Sequence, residues 1–153
     1  KYYVMMELIY KHTQCDLTLK SVKGYDPLFL ACTLGDINGA FLLLTWGANP
    51  DTQDNYGDTP LIWLLKNKPL ALGSTGHELV KMLLRFGASP TLANSADGDT
   101  PLHLLCYTKK PDLRTCFIVY TAAGAQGKAI TNKKGLTPYT LAVAEDNRMY
   151  ARF

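Results

Sequence analysis

The sequence lacks the features that mark several large classes of protein. It contains no Gly-x-Ser-x-Gly motif, no phosphate-binding loop and no Gly-x-Gly-x-x-Gly motif, which argues against the enzyme classes that these motifs define. None of its apolar stretches approaches the roughly 20 residues of a membrane-spanning helix. Its four cysteines form no Cys-x-x-Cys pair. These absences predict no catalytic, metal or cofactor site, no small-molecule substrate and no membrane insertion.

Charged side chains are also sparse. Only 19% of the 153 residues are charged, whereas 47% are hydrophobic, which is typical of a globular domain with a core. The net charge is +3, but residues 101–153 alone hold eight basic and three acidic side chains. No signal peptide is visible at the N-terminus, and Cys32 and Cys106 lie in apolar helical patterns as small buried thiols. We therefore expect an intracellular protein, cytoplasmic or nuclear, with one basic end.

One pentapeptide occurs twice in the chain. Gly-Asp-Thr-Pro-Leu spans residues 57–61 and 98–102, and related segments begin at residues 24 and 135. The Thr or Asp before each proline predicts a helix N-cap, because its side chain can accept from free backbone N–H groups. Proline is favoured at the first helical position. Four helices are therefore expected to begin at these prolines.

A second marker follows each long apolar run. Gly-Ala occurs at residues 47–48, 87–88 and 124–125, where a glycine predicts the left-handed C-cap of a helix. The glycine two residues before each Thr or Asp predicts a tight turn. One unit should thus contain a turn, a helix, a loop, a second helix and an extended segment.

These units resemble ankyrin repeats, which combine a β-turn and two helices in about 33 residues. Residues 98–103 match the family's Gly-x-Thr-Pro-Leu-His pattern, residues 76–80 match Gly-His-x-x-Val, and residues 47–50 and 87–90 match Gly-Ala-x-Pro. The resemblance covers nearly the whole chain. It implies an all-α ankyrin-repeat solenoid of helix-loop-helix pairs joined by β-turn or hairpin loops. We expect a single array over residues 1–153, with a half-repeat at 1–21, repeats at about 22–54, 55–95 and 96–132, and a half-repeat at 133–153.

The second and third repeats depart from the family pattern between their two helices. Extra residues fall at 68–75 and 109–112, which we interpret as loops on a regular array. Thr75 precedes Glu78 by the spacing of a capping box, so the second helix is expected to restart there. Residues 68–75 should be the most mobile segment, unless their two leucines fold back onto the helices.

The histidines are better explained by structure than by chemistry. The resemblance implies that His103 hydrogen-bonds within the turn at its helix start, and the same interpretation applies to His77 in its Gly-His position. His12 and Cys15 have the spacing of half a zinc site, but no second pair follows at finger spacing. The sequence therefore predicts no catalytic base and no metal centre.

The resemblance implies a non-enzymatic protein–protein interaction module or scaffold. Ankyrin arrays bind a protein or peptide partner on a concave surface made of the turn tips and the first helix of each repeat, called the tip face below. Trp and Tyr are enriched at interface hot spots, and charged tips can hold a partner in register. The partner-binding residues implied here are Tyr25, Tyr56, Asp58, Trp63, Lys66, Asp97, Asp99, Tyr107, Lys133 and Lys134.

The exposure of these residues can be predicted in part. Tyr56 should be exposed because it lies in mid-turn. Trp63 is equally compatible with exposure and with deep burial, because a bulky leucine follows it. Asp97 and Asp99 are expected to be solvated turn residues.

Two other functions stay open at this point. The basic C-terminal third could make the chain the ankyrin segment of a larger regulator that binds nucleic acid or chromatin-associated proteins. The overall charge is far below a nucleic-acid footprint, which makes nucleic acid the less favoured partner. The chain could also be the ankyrin segment of an enzyme or channel. The Met-containing start at residues 4–9 could dock a partner, but such a stretch is more often the core face of a helix.

Overall fold

The computed structural model describes residues 10, 16–67, 74–108 and 112–145. Seven helices lie within this part of the chain, and it contains no β-strand. The prediction of an all-helical fold is confirmed there. The helices are α1 (Pro27–Leu34), α2 (Ile37–Thr45), α3 (Pro60–Lys66), α4 (Ser74–Arg85), α5 (Pro101–Cys106), α6 (Leu113–Ala129) and α7 (Pro138–Ala144).

The helices α1, α3, α5 and α7 begin at the predicted prolines. Asp26, Thr59 and Thr137 each accept a hydrogen bond from the backbone N–H three residues further on. At α5 the backbone N–H of Thr100 donates to Nδ1 of His103 at 3.2 Å. The four predicted helix starts are therefore confirmed, each with its cap in extended backbone geometry.

The end of the third helix pair differs from the prediction. Gly47 and Gly87 follow α2 and α4 in the left-handed region, with φ of 92° and 90°. Gly124 also has a positive φ, of 57°, but the helix resumes after this kink and continues to Ala129. The first two segments carry a proline three residues after the glycine, whereas the third has Gly127 there. Without that proline, nothing prevents the chain from returning to helix.

The helices pack in two layers. The first helices α1, α3, α5 and α7 contact one another in chain order, and the second helices α2, α4 and α6 do the same. The main core lies between the layers and includes the fully buried Leu61, Ile62 and Leu79. Each pair therefore buries its apolar face against its neighbours, as repeat proteins do.

The turns between the pairs lie along one edge of the stack. The backbone N–H of Asn55 donates to the carbonyl oxygen of Lys23 at 3.3 Å, and that of Lys133 donates to Asp97 at 2.9 Å. The side-chain amide of Asn55 adds a bond to the carbonyl oxygen of Val22 at 2.8 Å. These bonds hold neighbouring turn tips in register.

Some predictions concern residues outside the described ranges. These are the zinc half-site of His12 and Cys15, the segment 4–9, and most of the loop at 68–75. The described end of that loop belongs to α4, which begins at Ser74, one residue before the predicted restart. Among the described helices, none combines the length and the apolar character needed to cross a bilayer.

Candidate functional site

Three aromatic side chains of the first two repeats form a cluster. The rings of Tyr25 and Phe29 stack with centroids 4.4 Å apart, and Phe29 meets Trp63 edge-on at 6.4 Å. Phe29 is fully buried, whereas Tyr25 and Trp63 are half-buried. The structure therefore places Trp63 between the two alternatives: its ring packs on the core and keeps part of its surface accessible.

Two further tyrosines of the tip face are accessible. Tyr56 is 69% exposed and Tyr107 is 39% exposed, so the predicted exposure of Tyr56 is confirmed. The Asp54 carboxylate accepts from the backbone N–H of Tyr56 at 2.8 Å. An ordered turn therefore presents the Tyr56 ring.

Asp58 is buried although it lies in a turn. It is 5% exposed, and both of its carboxylate oxygens lie 2.8 Å from Nζ of Lys66. Lys66 is in the last turn of α3, where a cation also interacts favourably with the helix dipole. Its side chain keeps 30% exposure, so the ion pair joins the turn to α3 and leaves part of the lysine facing solvent.

Asp99 is also buried, which shows that the expectation of a solvated turn residue was wrong for this position. Asp99 is 2% exposed, and its Oδ1 accepts from the side-chain amide of Asn132 at 2.8 Å. Asn132 belongs to the next turn, so the burial arises from stacking between repeats. Asp97 is exposed, as predicted.

The surroundings of Tyr107 are electronegative. Burial raises the pKa of Tyr107 to about 12, with further contributions from its hydrogen bond to Asp99 and from the charges of Asp97 and Glu145. The phenol is therefore neutral at physiological pH. Because Asp97 and Glu145 are both exposed, negative charge flanks the accessible part of this ring.

Several basic side chains of the C-terminal third are engaged within the chain. Nζ of Lys133 donates to the carbonyl oxygen of Ser95 at 2.6 Å, and Nζ of Lys128 lies 3.7 Å from the centroid of the Tyr120 ring. Lys134 is exposed at the turn tip. The contacts of Lys133 and Lys128 therefore give these basic side chains structural roles within the chain, and they are not evidence for an anion-binding patch.

Both described histidines have structural partners. His103 is fully buried and contacts Thr100 of its own helix start. Nδ1 of His77 lies 3.0 Å from the hydroxyl oxygen of Thr115, which ties α4 to α6. The predicted bond of His103 within its own helix start is confirmed. The same prediction was wrong for His77, because its partner Thr115 lies in another helix. No group of three or more His, Cys, Asp or Glu side chains in the described ranges is arranged to hold a metal ion.

Sequence reasoning missed two residues that organise the tip face, Asn94 and Asn132. The side-chain oxygen of each accepts hydrogen bonds from two backbone N–H groups of its own turn. Asp54 does the same in the preceding turn. The signal was present, since each of these residues lies shortly before the turn glycine of its repeat.

Stacked helix pairs with Thr-Pro or Asp-Pro starts and aligned turns define an ankyrin-repeat solenoid. In its sequence motifs and in its fold, the chain is similar to ankyrin-repeat proteins. Repeats of this class serve in general as protein–protein interaction modules, because their stacking creates an extended binding surface. They are generally non-catalytic.

Comparisons with known proteins agree with this class. No family model matches the chain. A putative ankyrin repeat-containing protein of Treponema pallidum is 34% identical over 74 residues, which is 48% of this chain and 22% of that protein. Human neurogenic locus notch homolog protein 4 is 34% identical over 90 residues, or 59% of this chain and 4% of that protein. The E3 ubiquitin-protein ligase KEG of Arabidopsis thaliana is 29% identical over 131 residues, which is 84% of this chain and 7% of that protein. The chain therefore spans less than a quarter of the length of each of these relatives.

Proposed function

We propose that this chain is a non-catalytic intracellular module that binds a protein or peptide partner on its tip face, centred on Tyr56, Trp63 and Tyr107. The observation that carries the proposal is the accessibility of these aromatic rings on neighbouring units of an ordered stack. Aromatic side chains supply large contact areas at low entropic cost, which suits them to anchor a partner. Tyr25 extends the same row into the first repeat.

The charged residues of the tip face fall into two groups under this proposal. Asp58 and Asp99 are buried and act by holding their neighbours in place. The side chains able to meet a partner directly are Lys66, Asp97, Lys133 and Lys134. A partner is then held by aromatic contacts and oriented by a charge pattern that changes sign along the stack.

Combined replacement of the aromatic centre tests the proposal. Partners captured by the immobilised chain would be identified by mass spectrometry, and the affinity for one purified partner would be measured by calorimetry. We expect Tyr56→Ala with Tyr107→Ala to weaken binding at least about a hundredfold, because hot-spot aromatics each contribute roughly 2 kcal/mol or more. Adding Trp63→Ala should abolish it.

Tyr139→Ala is the matched control. Tyr139 is 58% exposed, lines a groove with Cys116 and Phe117 of α6, and is not one of the residues proposed to contact the partner. It should leave the affinity unchanged. A cooperatively folded Tyr56→Ala, Tyr107→Ala double variant that binds like the wild type would rule out this centre.

A further inference from the structure

Asn94 carries a buried amide group that is only half satisfied. Its Oδ1 accepts from the backbone N–H groups of Asp97 and Asp99 at 3.1 and 3.0 Å. Its Nδ2 is fully buried and has no hydrogen-bond partner among the residues that the structure describes. Because Oδ1 faces two donors, the amide cannot be reversed to relieve this. An unpaired buried donor is unfavourable, so a nearby acceptor for Nδ2 is expected.

The following turn shows what such an amide pairs with. Asn132 likewise uses Oδ1 to accept from two backbone N–H groups of its own turn, at 3.0 and 3.1 Å. Its Nδ2 donates to the carboxylate of Asp99 in the preceding turn at 2.8 Å. The residue equivalent to Asp99 in the turn before Asn94 is Asp58, since both follow the turn glycine and precede Thr-Pro.

Contacts between the turns support this equivalence. A Cβ atom on Gly98 would lie 3.0 Å from the backbone nitrogen of Lys133, and a Cβ atom on Gly57 would lie 2.7 Å from that of Ser95. The residue that makes this close approach directly follows the turn asparagine in both cases. Asn94 therefore lies beside the Gly57 turn as its counterpart lies beside the Gly98 turn.

A lysine explains why Asp99 pairs with Asn132 whereas Asp58 does not pair with Asn94. Nζ of Lys66 contacts both carboxylate oxygens of Asp58 at 2.8 Å. The position equivalent to Lys66 in the next repeat is Tyr107, whose side chain carries no positive charge for Asp99 to pair with. Asp99 can thus hold the next asparagine, whereas Asp58 is drawn to the lysine.

We infer that the Asp58 carboxylate has two positions, one on Lys66 and one on Asn94, and that Lys66 binds an acidic group of the partner. A partner carboxylate that reaches the exposed part of Lys66 takes over its ammonium group, while Asp58 turns to the buried amide of Asn94. That second hydrogen bond keeps Asp58 from being left as an unpaired buried charge, which is strongly unfavourable.

This inference rests on the proposed function and specifies its ligand chemistry. Trp63 lies one helical turn before Lys66, so the two side chains share a helix face. An acidic segment with an apolar residue next to its carboxylate fits that pair. The part of the tip face around α3 is therefore assigned to an acidic peptide.

A double-mutant cycle tests the two positions of Asp58 without any partner. Asn94→Asp keeps the turn acceptor, as Asp54 does naturally, but removes the donor, and Lys66→Met removes the ammonium group. In urea unfolding at neutral pH, we expect Asn94→Asp to reduce the folding equilibrium constant at least about tenfold more in the Lys66→Met background than in its absence.

The control for this cycle is Asn132→Asp, which should have the same effect in both backgrounds. A direct readout is the NMR signal of the Asn94 side-chain amide, which should shift downfield when Lys66→Met frees Asp58. If Asn94→Asp lowered the folding equilibrium constant equally in the two backgrounds, or if the amide signal did not move, the proposed position of the Asp58 carboxylate on Asn94 would be overturned.

The acidic-partner part is tested by NMR titration with an oligoglutamate peptide, with oligolysine as the control. Asp58→Asn releases Lys66 at nearly constant shape and should tighten oligoglutamate binding about tenfold relative to the wild type. Lys66→Met should abolish this binding. Equal affinities in all three proteins, or no oligoglutamate binding at all, would overturn the acidic partner. Neither result depends on the capture experiment with the aromatic variants, which judges the tip face separately.

Discussion

Nε2 of His103 lies 2.9 Å from the backbone carbonyl oxygen of Leu136, which joins the start of α5 to the turn before α7. On the other side of the ring, Nδ1 accepts from the backbone N–H of Thr100 at 3.2 Å. The two bonds require a neutral ring with its proton on Nε2. One fully buried side chain thus caps its own helix and ties two neighbouring repeats together.

Replacement of His103 should be strongly destabilising. His103→Ala leaves the carbonyl oxygen of Leu136 without its donor and opens a cavity, for a combined loss of about 3 kcal/mol in the free energy of unfolding. Urea denaturation followed by circular dichroism measures this loss. His103→Gln, which can restore one of the two bonds, should lose less than the alanine variant. An alanine variant as stable as the wild type would contradict the bridging role.

Two glycines with similar backbone geometry should respond differently to alanine. Gly57 and Gly47 have φ of 76° and 92°, so alanine carries a backbone penalty of roughly 1 kcal/mol at either position. A Cβ atom at Gly57 would also lie 2.6 Å from Cβ of Ser95, whereas nothing lies within 4 Å of one at Gly47. Gly57→Ala should therefore lower the urea midpoint clearly more than Gly47→Ala. Equal midpoints would mean that the stacked turns can separate freely.

The helix caps give a third prediction. The hydroxyl of Thr59 is buried and accepts from the backbone N–H of Ile62 at 3.2 Å. Thr59→Ala should reduce the free energy of unfolding by about 1–2 kcal/mol, because the cap is lost. Thr59→Ser keeps the hydroxyl and should lose less. If the two variants were equally destabilised in thermal denaturation, packing of the methyl group rather than capping would explain the loss.

Signals that act within a few residues were readable from the sequence. The Thr-Pro and Asp-Pro starts and the positive φ of Gly47 and Gly87 follow from local capping and turn chemistry. The exposure of Tyr56 could be predicted in the same way, because its position in the turn decides it.

Contacts between neighbouring repeats could not be predicted from the sequence. The burial of Asp99 depends on Asn132, which lies 33 residues away. The ion pair of Asp58 with Lys66 depends on how the turn lies over α3. Both require knowledge of how neighbouring units stack, and the residue types alone do not fix that arrangement.

The raised pKa of Tyr107 gives a prediction for alkaline pH. Its pKa of about 12 in the folded chain exceeds the ordinary value of 10.0, first because of burial and then because of the neighbouring Asp99. Between these two values the folded state retains a proton that the unfolded state has lost. The stability that Tyr107 contributes is therefore fully present below pH 10 and decreases as the pH rises towards 12.

The measurement is the urea midpoint of the wild type and of Tyr107→Phe from pH 8 to pH 12. The wild-type midpoint should fall more steeply than that of the phenylalanine variant above about pH 10, because only the wild type carries this phenol. The other side chains are the same in both proteins, so their contributions cancel in the comparison. Parallel curves would show that the folded chain does not disfavour ionisation of the Tyr107 phenol, and would contradict both its burial and its proximity to Asp99 as causes of a raised pKa.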